Sequence, residues 1–337
     1  MIEDTSKIEY ESYIDAFLEM SRTNQKEGEK IRILGLKGMG AFILNMHDAS
    51  SFISKYVQPG SNNNVVVAFL ENMSTNENEK GKGGDQEESL SELANKKLKD
   101  LATRANNINV RLLLQSTFKY IDEKNLWGSD FSINSVNSIA YSIKPHSHET
   151  ITCLIHHLKE IKSCKTKSDA IKVLITMIKG PISPILEVLN PLVNELIKSN
   201  DEKDSASLQD NLINCIEISV KTLKKVDVAQ KVEALNLLLQ EYERSKNLDI
   251  HLLLARCIYS ISKYLNLDPK NVNKFVNVVY RILHVCISKG DGYSKVRSFA
   301  QRTLLNFLED GVLLKSNEES SNLFLNSSQI KIDNVIR

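Results

Sequence analysis

The stretch Val296-Arg297-Ser298-Phe299-Ala300-Gln301-Arg302-Thr303-Leu304-Leu305 puts apolar residues at relative positions 0, 4 and 8 and a basic residue at position 1. On a helix those three apolar side chains share one face, and the basic one opens the polar flank. The same register recurs at Ile250-His251, followed by Leu254 and Ile258, and at Val110-Arg111, followed by Leu114 and Phe118. The later two registers begin 46 residues apart (296 − 250), and the earlier two 140 apart (250 − 110), about three times as far. A period of roughly 40–47 residues belongs to repeats of two packed helices. Between residues 125 and 230 the chain departs from the register, so the number of repeats stays open. A non-repeating α-helical bundle also meets the pattern, because any amphipathic helix places apolar residues at i, i+4 and i+8.

Outward from these segments the chain reads as helix and short loop. Helices are expected at 90–104, 109–123, 132–143, 148–163, 167–179, 182–198, 206–224, 227–245, 249–265, 270–288 and 293–309. Gly180-Pro181, Asp268-Pro269 and Gly290-Asp291-Gly292 are among the breaks between them. Upstream, helices are expected at 8–23, 28–46 and 49–57, the last closed by Pro59-Gly60. Val65–Leu70 suits a strand or a buried helix, and its helical neighbours favour helix. Residues 74–89 hold no large apolar side chain, so little there offsets the entropy of ordering, and a disordered polar loop is expected. The expected organisation is an N-terminal helical group at 1–73, that loop at 74–89, a helical array at 90–310 and a C-terminal cap or tail at 311–337.

Composition agrees with an all-α chain. Six prolines and 13 glycines among 337 residues are too few for the frequent turns of an all-β sandwich or barrel. The formal net charge of +1 supplies no global field to draw the chain onto nucleic acid or anionic lipid. The five cysteines, Cys153, Cys164, Cys215, Cys257 and Cys286, are widely spaced, form no C-x-x-C pair and sit mostly in apolar helical context, as reduced thiols do. Neither a secretory leader nor an uninterrupted apolar run of about 20 residues is visible. The expected location is therefore cytoplasmic or nuclear.

The segment Val296–Leu305 resembles the second helix of a HEAT repeat, in which an apolar-Arg pair opens the inner helix. The resemblance extends over roughly residues 90–310 and reaches the HEAT/armadillo superfamily. It implies a right-handed α-solenoid of antiparallel helix pairs. Each pair has a face too apolar to leave wet and too little volume for a core of its own, so neighbours must stack. The resulting grooved surface suits peptides, helices or another subunit. The function implied is a non-catalytic protein-binding scaffold or adaptor. Arg111, Arg256, Arg281, Arg297 and Arg302 fall on the helices expected to be internal. If they line one groove they bind carboxylates or phosphorylated peptides. The alternative is that they pair with carboxylates between repeats. At the C-terminus, Gly311-Val-Leu-Leu-Lys and Leu323-Phe324-Leu325 are similar to the wing of the winged helix that closes PCI-domain subunits. That second reading implies a core subunit of a multiprotein assembly.

Catalytic and cofactor chemistry finds less support. His146, His148, Cys153, His156 and His157 bring metal-binding side chains into a dozen residues. Adjacent His156 and His157 diverge by about 100° on a helix, and no second motif completes a set, so no metal is expected. Gly35-Leu-Lys-Gly38-Met-Gly40 lacks the spacing of a phosphate-binding loop and is expected either to let two helices approach closely or to bend this helix. No nucleophile elbow and no activated cysteine is visible, so neither enzyme activity nor a cofactor is expected. A basic bias across 144–180 (Lys144, Lys159, Lys162, Lys165, Lys167, Lys172, Lys179) offers a surface for an acidic peptide or RNA. It has no interleaved aromatics for base stacking, so the expected reading is a solvated helix face, and nucleic-acid contact is not expected.

Overall fold

The computed structural model describes residues 3–23, 28–45, 49–74, 89–143, 147–179 and 188–222, with isolated positions at 236–241, 244, 250, 253–254, 257 and 298. The polar stretch 75–88, the three repeat registers' later members and the C-terminal segment 311–337 lie outside the described residues, apart from those isolated positions. The chain divides into two compact units, Met1–Ser183 and Pro184–Arg337. Among the described residues all regular structure is helical.

The first unit holds nine helices among its described residues: α1 (Glu3–Ser21), α2 (Gly28–Asn45), α3 (Ala49–Tyr56), α4 (Val65–Met73), α5 (Leu90–Thr103), α6 (Asn107–Glu123), α7 (Asp130–Ser142), α8 (Ser147–Leu158) and α9 (Cys164–Lys179). The second holds α10 (Leu189–Lys198), closed by a 3-10 turn at Ser199–Asp201, and α11 (Ala206–Thr222), which packs on α10.

Local chemistry explains where these helices start. The ambiguous run after Asn64 is helix because Asn64 caps it: its side-chain oxygen accepts the N–H groups of Val66 (2.9 Å) and Val67 (3.2 Å). Donors that a strand would place in a ladder are thereby satisfied at a helix N-terminus. Ser89 and Glu92 form a reciprocal capping box on α5. Asn106 and Ser129 cap α6 and α7. The expected helix 148–163 ends earlier, at Leu158, and α9 begins earlier than expected, at Cys164. Ser163 accounts for the second difference. Its carbonyl accepts the Lys167 N–H at 2.9 Å and its hydroxyl the Thr166 N–H at 3.4 Å, as an N-cap residue does.

Packing in the first unit follows a two-layer scheme. The pairs α1/α2, α4/α5, α6/α7 and α8/α9 each pack face to face. One layer then runs α2, α5, α7, α9, each helix touching the next, and the other runs α1, α4, α6, α8. α3 lies against α6. Because α2 and α4 both touch α5, the helices on either side of the polar stretch belong to one stack. Its core is built from fully buried residues of every pair, among them Leu36, Phe69, Leu70, Leu98, Leu113, Phe118, Ile139, Leu154 and Leu174. Each such side chain contributes about 1.5–3 kcal/mol of transfer free energy relative to exposure.

Candidate interaction surface

Along the α6–α8 contact the polar groups largely answer one another. The exposed Arg111 guanidinium donates to Glu149, Nε to Oε2 at 3.2 Å and Nη2 to Oε1 at 3.5 Å. One turn further along α8, burial pushes the Cys153 thiol up to about 11, so it stays protonated at neutral pH. Beyond it His157 turns inward while His156 stays exposed, the divergence expected of adjacent helical residues. The His157 Nε2 lies 2.8 Å from Asp122 Oδ2, and its ring packs beside Phe118 (5.1 Å) and Trp127 (6.0 Å). Trp127 in turn donates its indole N–H to Asp122 Oδ1 at 2.5 Å. This is a docking cluster in which Asp122 serves two aromatic donors. Among the described residues no three His, Cys, Asp or Glu side chains converge as a metal set; His146 and the His148 side chain lie outside the described residues.

The opposite layer presents a different surface. On α5 the buried residues Leu93, Ala94, Leu98, Leu101 and Ala102 leave Glu92, Lys96, Lys99 and Thr103 on the exposed side. On α9, Lys165, Lys172 and Lys179 are exposed at a seven-residue spacing, close to two turns, and so form one row. Between them α7 offers exposed Asn134 and a Tyr141 that is 41% exposed. The three helices are tied together by Ser138 of α7, whose hydroxyl donates to Asn95 of α5 at 2.6 Å, and by Asp169 of α9, which fills the space beside Gly128 at the approach to α7. Asp169 also accepts from Lys172 at 2.7 Å.

Of the five arginines singled out from sequence, the structure places Arg111, in its ion pair with Glu149. Arg256, Arg281, Arg297 and Arg302 lie outside the described residues. The basic stretch 144–180 is partly inward-facing, since Lys167 is buried, whereas Lys159, Lys162, Lys165, Lys172 and Lys179 are exposed. Sequence reasoning missed Lys96 and Lys99, because only the stacking of α5 on α7 and α7 on α9 brings them to the same side as the α9 row.

A two-layer stack of helix pairs with no strand among its described residues defines a class, the all-α solenoids of HEAT and armadillo type. A family model described as "EFR3, armadillo repeat" matches residues 2–309, and the chain belongs to that family. It is similar to "Protein EFR3 homolog B" of Danio rerio, 26% identical over 245 residues and covering 67% of this chain. The protein of the same name from Homo sapiens is 26% identical over 212 residues, 57% of this chain. The chain spans 29% of the zebrafish relative and 26% of the human one, less than a third of the length of these curated relatives. Among solved structures, two engineered proteins superpose loosely, with TM-scores of 0.34 and 0.26 at 13% and 11% identity. The first alignment covers 87% of this chain and 67% of the other, the second 88% and 96%. Superposition at that level decides nothing about the fold.

Proposed function

We propose that this chain is a non-catalytic scaffold that binds proteins through the outer surfaces of its helical stack. The observation that carries the reading is the continuous two-layer packing of α1 to α9 in a chain of the EFR3 armadillo family. Such a stack uses its apolar faces for its own cohesion and leaves extended rows of polar side chains for partners. Catalysis has no group poised for it in the α6–α8 cluster, where the thiol is held protonated and Asp122 is engaged by Trp127 and His157. Cys153, Cys164, Cys215 and Cys257 are in no disulfide, which suits a reducing compartment, and we place the protein in the cytosol or nucleus. Among the described residues no helix is long and apolar enough to cross a membrane. In this reading Arg111, with Arg256, Arg281, Arg297 and Arg302, contacts carboxylates of a partner. Arg111, whose side chain is exposed, then shares its guanidinium between Glu149 and the partner's acid. No feature of the described residues favours the PCI-type alternative.

The test is purification of the tagged full chain under native conditions, with quantitation of what accompanies it. Reproducible protein partners, at fixed or varied ratio, are expected. Folded chain recovered alone from every extract, together with turnover of any substrate by the purified chain, overturns the reading.

A further inference from the structure

The exposed apolar side chains of the described residues gather on the α1/α2 pair. α1 packs on α2 and α4, and α2 on α1 and α5, while Phe52 of α3 reaches Phe42 near one end. Away from those neighbours the pair is apolar where the terminal repeat of a solenoid is ordinarily polar. Of the five large hydrophobic side chains exposed among the described residues, Tyr13, Leu34 and Leu44 stand on this pair, at 58%, 57% and 49%. Exposed Ala16 lies a turn from Tyr13, and exposed Ala41 two turns from Leu34. Exposed charges flank this strip, Glu19 on α1 and Lys30 and Lys37 on α2. From this arrangement we infer that the outer face of α1 and α2 is a self-association surface, seating the same face of a second copy of this chain about a two-fold axis. The inference is independent of the scaffold reading above.

The distribution of charge between the two helices selects this occupant. α1 carries six acids and one lysine, whereas α2 carries three bases and one acid. A Cβ on Gly38 would meet the Phe17 ring and one on Gly35 the Met20 Cβ, so the antiparallel pair holds Phe17 level with Gly38 and Met20 level with Gly35. Glu19 therefore stands at the height of Leu36 and Lys37. A two-fold axis parallel to the helices preserves those heights and lays α1 of one copy on α2 of the other. Glu19 then meets Lys37 of the second copy, and Lys37 meets the second copy's Glu19, on the two rims. Tyr13, Ala16, Leu34 and Ala41 close over one another between them, an apolar centre inside a charged margin. Two further acids lie off the strip: Asp15 accepts from Asn63 at 3.3 Å on the α4 side, and Glu29 is turned about 100° from Lys30. The acid excess of α1 opposes a polyanionic occupant, whether nucleic acid or anionic lipid. A face of two helices is small for a permanent dimer, so the association is reversible.

The experiment is sedimentation velocity on the purified full chain between about 1 and about 100 µM, where a monomer–dimer equilibrium is expected. Leu34→Asp puts a charge into the apolar strip and should weaken the dimer about tenfold or more while helicity and Tm stay unchanged. If that variant does not fold, Tyr13→Ser replaces it, with a smaller loss expected. Glu19→Lys and Lys37→Glu each set like charges against one another twice in the two-fold dimer, and each should weaken it about tenfold. Mixed in equal amounts, these two variants should associate as the parent does, because both rim contacts then pair opposite charges. A chain that is monomeric at every concentration, a dimer indifferent to Leu34→Asp, or a mixture no more associated than its components would overturn the inference. Capture of the monomer by phosphatidylserine vesicles, abolished by Leu34→Asp, would overturn it too and give the face to a lipid surface. Any of these failures leaves the scaffold reading standing, since that reading is tested by the partners of the chain and not by its own copy number.

Discussion

The ring of Phe17 on α1 occupies the space that a side chain at Gly38 on α2 would need: a Cβ built there lies 2.4 Å from Phe17 Cε1. Three residues earlier, a Cβ on Gly35 would meet backbone, 2.7 Å from both the Phe17 carbonyl oxygen and the Ser21 nitrogen. The two glycines thus press α2 against α1, one against a ring that can move and one against a main chain that cannot. Helix propensity alone favours alanine by about 1 kcal/mol, while overpacking costs about 1–3 kcal/mol. Gly38→Ala should therefore be nearly neutral or mildly destabilising, and Phe17→Leu should relieve it. Gly35→Ala should cost about 2 kcal/mol or more and resist that rescue, as measured by urea denaturation.

Asn64 joins three elements. Besides capping α4, its amide donates to the Gln58 carbonyl (2.9 Å) and to Ser116 Oγ on α6 (3.0 Å), and Ser116 donates onward to the Val57 carbonyl (3.0 Å). Loss of a cap costs about 0.5–2 kcal/mol, and orphaned buried groups add about 1–3 kcal/mol. Asn64→Ala should cost about 2–4 kcal/mol and Ser116→Ala less, and the double variant should fall short of the sum because the pair share one network. Equal costs for the two single variants, or strict additivity, would show that the network does not couple α4 to α6.

The chain has a single tryptophan, so fluorescence reports one place. Trp127 is 7% exposed and bounded by Phe118 and His157. His157→Ala should uncover one face of the indole, shift its emission to the red and cost about 1–2 kcal/mol. His156→Ala is the control. With a side chain 73% exposed, His156 should leave the spectrum unchanged and stability within about 0.5 kcal/mol.

Burial pushes the Cys215 thiol from its ordinary 9.0 up to about 12, and Cys257 is displaced in the same direction for the same reason. A folded-state value above the unfolded one favours folding fully below about pH 9, and the benefit drains away as pH rises toward about 12, because the unfolded chain ionises first. Each such thiol should steepen the alkaline loss of stability by about 1.4 kcal/mol per pH unit. Denaturation curves between about pH 8 and about pH 11 should show Cys215→Ala losing stability less steeply than the parent by that increment. A parallel slope would mean that the thiol is not sequestered.

Much of the helix inventory was readable because caps and breakers are local. The capping box at Ser89 and Glu92 and the apolar spacing of 109–123 need no knowledge of neighbours. The missed boundary at Ser163 is instructive, since a serine inside an apolar periodicity reads as helix until the chain is seen to turn there. Gly35 and Gly38 were legible as a close-approach motif, yet their partner, Phe17, was not. Arg111 was legible as exposed and basic, and its pairing with Glu149, 38 residues away, was not.

By itself the sequence determined that this is an all-α protein of paired helices, because periodicity, capping and the scarcity of glycine and proline act within a few residues of each position. Tertiary structure alone decided which helices share a layer, that α4 and α5 close on one another across the polar stretch, and that Lys96 and Lys179 look out from the same side. Contacts of that kind depend on how buried faces of separate helices fit together. No single helix encodes its neighbour's register, so the surface emerges only when the stack is assembled.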